Sequence, residues 1–587
     1  MGVPVFFSWL SSRFDKQILY KEARKLDRLY VDFNAGIHPA VKNDPSTTIP
    51  EMYDKIIAYL DCIVNFVKPQ ELLFIAIDGV APKAKMEQQR SRRYKSVLDK
   101  AEQPTAEKKK EKSEKATAEK IIPDIDFNMI SPGTVFMETV RERINVHIQN
   151  QTAIGGMWHG LKVIFSDASY AGEGEHKIMD HIRSNPTQSL AIYGLDSDLL
   201  FLSLLNNKNI VLVREVQEFA PRTTPPSKGG EKKKIPEFTY LLIERLYECL
   251  VDILKPSTSL KGLENFKIYN KLKFVAPECL SPKHVDANQL IADFTFLSFM
   301  LGNDFLPHLP SLSIRDNGLE SIIMAYKIAY WQTGTCLVKK KGEKEIEINQ
   351  KMFLKVLEQL DTVEIPALEL SQRNREMRIS RFRQQGGKDD YIEHTYNDII
   401  RFGEHGWETR YYQVHFNMHY RHPTEFLQHK QMIVSKFLEG MKWTYLYYTG
   451  NNHNWDWHYC YSVAPTVHDL FQGVKGGIDI NQFTFPATEP VMPFVQLMSI
   501  LPPASAHLLP QVLAVLMTDR TSSIHYYYPI KVSLSLHGCR YRWECHVKLP
   551  PIDCDELTKI VKARSKYISP IDLLRGFAPT PTNIRMC

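Results

Sequence analysis

The 587-residue chain has no uninterrupted apolar run long enough to span a bilayer, for which about 20 residues are needed. Its start, MGVPVFFSWLSSRF, has no charged stretch ahead of the short apolar one, so a secretory leader is not expected. Phe6 stands where a myristoylation motif carries Ser or Thr. Cysteine is scarce: the nine are odd in number, widely spaced and free of any CxxC pair. That argues against a disulfide framework and a zinc knuckle and for a reducing interior. There is no internal repeat, and net charge is small, +6 from 73 basic and 67 acidic residues. Overall charge therefore does not announce nucleic acid. With 43% hydrophobic and 24% charged residues, the composition is that of a globular protein.

What is present is local. LYVDFN ends in Asp32, LLFIAIDG in Asp78, and LAIYGLDSD in Asp196 and Asp198; LKVIFSD leads into Glu173 and Glu175, where EHKIMDHI opens a helix. Continuous apolar runs of this length suit parallel strands covered on both faces. Ligands of open α/β sheets sit at the carboxyl ends of the strands, so these strands converge their carboxylates on one edge. LGNDFLPHLP adds Asp304 after the apolar helix FTFLSFM. Two like charges at ~4 Å repel by about 4 kcal/mol even at an effective dielectric of 20. One acid pair alone reads as a solvated loop; seven acids together call for a counter-charge. Two Mg²⁺ ions, for which Mn²⁺ can stand in, would supply it, and a metal pair is a standard device for in-line attack on a phosphodiester.

KAKMEQQRSRRYK, residues 83–95, carries six basic residues against one acid. As a helix it brings Lys85, Gln89, Arg92 and Arg93 within an arc of roughly 100°, with Lys83 and Arg90 pointing elsewhere. Such a face suits a terminal phosphate, to which arginine binds bidentately. A charge run is usually a solvated face; nearness to Asp78 favours the phosphate site here. His38, six residues after Asp32, and the pair Trp455 and Trp457 are rings of a kind that stack on bases. On their own they read as structural residues.

The words MGVPVFFSWL, LYVDFNAGIHP, FIAIDGVAPKAKMEQQRSRRYKS, SPGTVFMETV, GEGEHKIMDHIR, YGLDSDLLFLSL, LGNDFLPHLPSLSIR and WDWHYCYSVAP follow one another in order. Together they resemble the Xrn-type 5′→3′ exoribonucleases over nearly the whole chain. The resemblance implies a PIN/flap-nuclease-like α/β core with helical elaborations and a second, mixed α+β region packed on it. It also implies a metal site of Asp32, Asp78, Glu173, Glu175, Asp196, Asp198 and Asp304, and a 5′-monophosphate pocket of Lys85, Gln89, Arg92 and Arg93. His38 and a tryptophan of the WDW pair, Trp455 ahead of Trp457, would stack on the bases.

The expected organisation is a nuclease core over 1–335, a connecting region over 336–400 and a second region over 401–587. A charged projecting helix at 97–122 and a Pro/Gly/Lys loop at 218–237 interrupt the core. The expected activity is processive degradation of single-stranded, 5′-monophosphorylated RNA to nucleoside 5′-monophosphates, in RNA decay, by a cytoplasmic monomer away from membranes, the nucleus remaining open. The alternatives are a flap-type DNA nuclease, which has no evident need for the 85–93 pocket, and a non-catalytic RNA scaffold, which is free to lose its acids.

Overall fold

The computed structural model describes residues 6–20, 25–42, 47–102, 125–216, 236–255, 286–342, 345–387 and 390–577. Most of the expected projecting helix, from 103 on, and the loop at 218–235 lie outside these residues.

A seven-stranded sheet organises the N-terminal half. Its strands are β1 (Leu19–Tyr20), β2 (Arg28–Asp32), β3 (Leu72–Ala76), β4 (Lys162–Ser166), β5 (Leu190–Tyr193), β6 (Ile210–Glu215) and β7 (Phe238–Leu242). Their spatial order is β1-β7-β6-β5-β2-β3-β4. Strands β2 to β6 run parallel, while β7 pairs antiparallel with β6 and β1 antiparallel with β7. The parallel strands are covered on both faces, and alternate residues go to opposite cores. Tyr30, Phe74, Ile192 and Leu212 enter one; Val31, Ile75, Ala191 and Val213 enter the other. Double burial is why these strands read as unbroken apolar runs.

Register aligns the strand ends: Asp32 lies opposite Ala76, Ala76 opposite Ser166, and Val31 opposite Tyr193. From β2 the order runs outward to β3 and β4 on one side and to β5 and β6 on the other. The junction of β2 and β5 is therefore a topological switch point, where α/β sheets open a crevice.

The C-terminal half packs onto this core. The helix Gln350–Gln385 fills the stretch expected to connect the two regions. Its first half buries Phe353, Val356, Leu357 and Leu360 in the core that also holds Phe437 and Trp443 of the helix Pro423–Tyr448. Glu364, in the same helix and almost fully buried, accepts from the backbone N–H groups of Val467 and His468 at 2.7 and 2.8 Å. It thereby satisfies the start of the helix Val467–Lys475 from a distant part of the chain. A separate cluster over residues 494–568 takes in Met86 of the basic helix Lys83–Glu102. Arg90 of that helix, 2% exposed, donates to the carbonyls of Pro550 and Tyr527. The C-terminal unit thus clamps the back of the basic helix and leaves its other face to the crevice. Among the described residues no helix is long and apolar enough to cross a membrane.

Candidate active site

Strand ends and the turns after them bring the acids to the crevice. Asp32 closes β2, Asp78 follows β3 by two residues, and Asp196 follows β5 by three, with Asp198 opening the next helix. Glu173 and Glu175 flank Gly174 at the start of the helix Gly174–Ser184. Two glycines make this approach possible. A Cβ on Gly79 would lie 1.7 Å from the Tyr170 carbonyl oxygen. Without one, Gly79 N–H reaches Gly172 O at 2.9 Å and Gly172 N–H reaches Val80 O at 2.7 Å, which sets Asp78 beside the Glu173 loop. A Cβ on Gly174 would lie 2.8 Å from Asp32 Oδ1. Its N–H instead donates to Asp78 Oδ1 at 2.7 Å, so the positive end of the helix faces the carboxylates.

All seven predicted acids meet electrostatically. Burial first, then Asp78, Asp196 and Glu173, push Asp32 well above the usual carboxylate range. Burial with Asp196 and Asp198 does the same to Glu175, and burial with Asp196 and Asp304 to Asp198. Burial would also raise Asp304, but the Lys85 ammonium holds it well below that range. The oxygen chemistry suits a hard divalent cation. Asp196, Asp198 and Asp304 each place an oxygen within 4.8 Å of the others. Asp32 Oδ1, Glu175 Oε2 and Asp198 Oδ1 are buried without a hydrogen-bond partner among the described residues. This cluster can hold a metal ion.

The raised acids make the ion-free fold pH-sensitive. An acid whose folded pKa exceeds its unfolded value binds more protons when folded, so stability falls as pH rises between the two values. For Asp32, Glu175 and Asp198 that window opens near about 4; Asp304, shifted downward, loses its contribution only below it. Those protons would be given up to a divalent ion where one is bound. We therefore expect Mg²⁺ to raise the melting temperature more at about pH 8 than at about pH 5.5, as measured by thermal unfolding with Mg²⁺ and with EDTA. An equal shift at both values would count against ion binding by these acids.

The basic helix forms as its pattern predicts, and its cations divide. Lys85 is buried and sits among the acids, its Nζ 2.6 Å from Asp304 Oδ2 and 2.5 Å from Glu173 Oε2. Arg92, its side chain 39% exposed, lies 3.9 Å from Asp304 Oδ1. Gln89 is half-buried between them in sequence, with Oε1 unpartnered among the described residues. Arg93, at the edge of the arc, turns aside and donates to Ser131 Oγ at 2.6 Å and Asn128 O at 3.3 Å. Burial lowers its pKa to about 10.

The rings divide too. His38 is half-buried on the helix Asn34–Lys42, just beyond Asp32. Trp455 is half-buried against Gly172, one residue before Glu173. Trp457 is interior, 8% exposed, and stacked on Trp443 at 5.0 Å.

Three partners carried no sequence signal. Asn34 donates to Asp78 Oδ2 at 2.5 Å. Lys177 donates to the carbonyls of Ile77 and Asp167, its pKa lowered by burial to about 8. Tyr447 donates to Glu173 Oε1 at 2.9 Å. Single side chains that hold another residue have no spacing rule by which to be found.

A crevice of oxygen donors at the switch point of a parallel sheet, flanked by a cationic helix, could hold a metal ion, which is the arrangement a metal-dependent nuclease needs. Family comparison agrees. Residues 1–216 match the family model described as the XRN 5′-3′ exonuclease N-terminus, and residues 284–388 and 362–570 match the Xrn1 helical domain. The chain belongs to the XRN 5′-3′ exonuclease family. Similar curated proteins include 5′-3′ exoribonuclease 2 of Arabidopsis thaliana, 28% identical over 98% of this chain and 69% of that protein. The Gallus gallus 5′-3′ exoribonuclease 2 is 29% identical over 94% and 69%. The Schizosaccharomyces pombe 5′-3′ exoribonuclease 1 is 28% identical over 99% of this chain and 50% of its own length.

Proposed function

We propose that this 5′→3′ exoribonuclease degrades single-stranded RNA processively from a 5′-monophosphorylated end, releasing nucleoside 5′-monophosphates in the course of RNA decay. The observation that carries the reading is Lys85, a residue of the basic helix whose Nζ lies within 2.6 Å of both Asp304 and Glu173. A terminal phosphate held along Lys85, Gln89 and Arg92 would place the first internucleotide linkage at the acids.

The seven carboxylates would hold two Mg²⁺ ions, which supply an activated water and stabilise the leaving oxygen. The chain's own residues fix everything else. Asn34 and the Gly174 N–H orient Asp78, and the crevice wall excludes bulk water around the buried acids. Cleavage of the bond from phosphorus to O3′ leaves a new 5′-monophosphate on the shortened strand. Each turnover therefore regenerates the group that the basic helix binds, and the strand can advance without dissociating.

His38 and Trp455, on two different elements, would grip the leading bases, each stack contributing about 1–3 kcal/mol. His38→Ala is expected to make degradation distributive, with intermediates of a long RNA accumulating on a gel, while the first cleavage proceeds. A blocked first cleavage with processivity unchanged would give His38 another role. The reading as a whole is tested by Mg²⁺-dependent digestion of matched RNA and DNA strands with the products identified. Release of mononucleotides from the RNA supports it, and cutting at a DNA flap in preference would refute it.

A further inference from the structure

The helix Pro423–Tyr448, far along the chain, reaches the acid cluster with one hydroxyl. Tyr447 OH donates to Glu173 Oε1 at 2.9 Å, while Lys85 Nζ lies 2.5 Å from Oε2. Glu173 is the N-cap residue of its helix, with extended backbone and no capping bond from its own side chain. Its carboxylate is therefore oriented by these two contacts and not by the helix it precedes.

Tyr447 is itself held in place. Its ring centre lies 3.9 Å from that of His176, on the helix that carries Glu175. It stacks on Trp443 at 5.0 Å and 17°, with Phe305, next to Asp304, edge-on at 5.5 Å. Trp443 stacks in turn on Trp457 at 5.0 Å. A column of rings thus runs from the metal-site helix to the turn that bears Trp455.

We propose that Tyr447 is a positioning residue through which the C-terminal half completes the metal site. Its hydroxyl fixes one oxygen of Glu173, so that the other, which lies against Lys85 in this structure, would be held in place to serve as a ligand when a divalent ion is bound. The inference rests on the reading of the acid cluster as a metal site. Hydrogen-bond partners of metal ligands commonly tune affinity or activity by 10–100-fold.

Tyr447→Phe keeps the ring column and removes only the hydroxyl. With the full chain, Mn²⁺ binding followed by the paramagnetic signal of the free ion should weaken about tenfold or more. The melting temperature in EDTA should stay close to that of the unaltered protein. With Mg²⁺, kcat should fall at a fixed concentration and recover as the ion is raised, while KM for RNA holds. In a Glu173→Ala background the same change should have no further effect on Mn²⁺ affinity, because the hydroxyl acts through Glu173. Mn²⁺ affinity equal to that of the unaltered protein, or an undiminished loss in the Glu173→Ala background, would overturn the positioning role alone. No Mn²⁺ binding by the unaltered protein would overturn the metal site and this inference with it.

Discussion

Asp196→Ala is expected to abolish hydrolysis while leaving the fold intact. Asp196 is one of the three acids whose oxygens lie within 4.8 Å of one another, and it raises the pKa of Asp32, Glu175 and Asp198. Its charge is thus shared by most of the cluster. A unit charge at ~4 Å is worth about 4 kcal/mol at an effective dielectric of 20, and each 1.4 kcal/mol is about a factor of ten in rate. Losing it should cost roughly 10³-fold in turnover or more. The same substitution relieves repulsion among neighbours that have no bound ion, so the melting temperature in EDTA should hold or rise. Robust Mg²⁺-dependent turnover by the purified variant would contradict this, as would a large loss of stability without ion.

The second large effect concerns the choice of RNA end. Lys85, Gln89 and Arg92 line one face of the basic helix, and a 5′-monophosphate held there would bring up to two negative charges to them. A 5′-hydroxyl offers these groups nothing to pair with, and a triphosphate or cap adds bulk where the chain must enter. Monophosphate ends should therefore be degraded far faster than hydroxyl, triphosphate or capped ends. Arg92 is the informative residue, because Arg90 and Arg93 are committed to protein partners and Lys85 also serves the acids. A hydrogen bond to a charged group contributes about 1.5–3 kcal/mol. Arg92→Ala should then slow monophosphorylated RNA by about 10–100-fold and leave hydroxyl RNA little changed. Rates measured on the four ends test this; equal rates on all four by the unaltered protein would remove the pocket.

How far the sequence is readable follows the physics of each part. Strands β2 to β5 stand out because both of their faces are buried, and the acids stand out because they interrupt apolar runs at the point where the strands end. Edge strand β1, two residues long, has no pattern to offer. The helix Gln350–Gln385 buries residues at helical spacing up to Leu368 and almost none beyond, so an average over 336–400 dilutes its periodicity. Trp455 and Trp457 are two residues apart and chemically alike, and only packing against Trp443 separates the interior ring from the half-exposed one. Arg93 belongs to the cationic arc by angle, yet the Asn128–Ser131 loop claims it; a loop distant in sequence has no signature in the helix. Tyr447 is hardest of all, since its role lies in one hydroxyl meeting Glu173 across 274 positions of sequence.

The central claim is that the acid crevice and the basic helix work as one site on the 5′ end. It is tested most directly with a monophosphorylated single-stranded RNA labelled separately at its 5′-phosphate and its 3′ end, incubated with Mg²⁺ or with EDTA. The predicted result is Mg²⁺-dependent release of the 5′ label as a nucleoside monophosphate, the 3′ label staying in long RNA until the end. Internal fragments, early loss of the 3′ label, or undiminished cleavage in EDTA would contradict it.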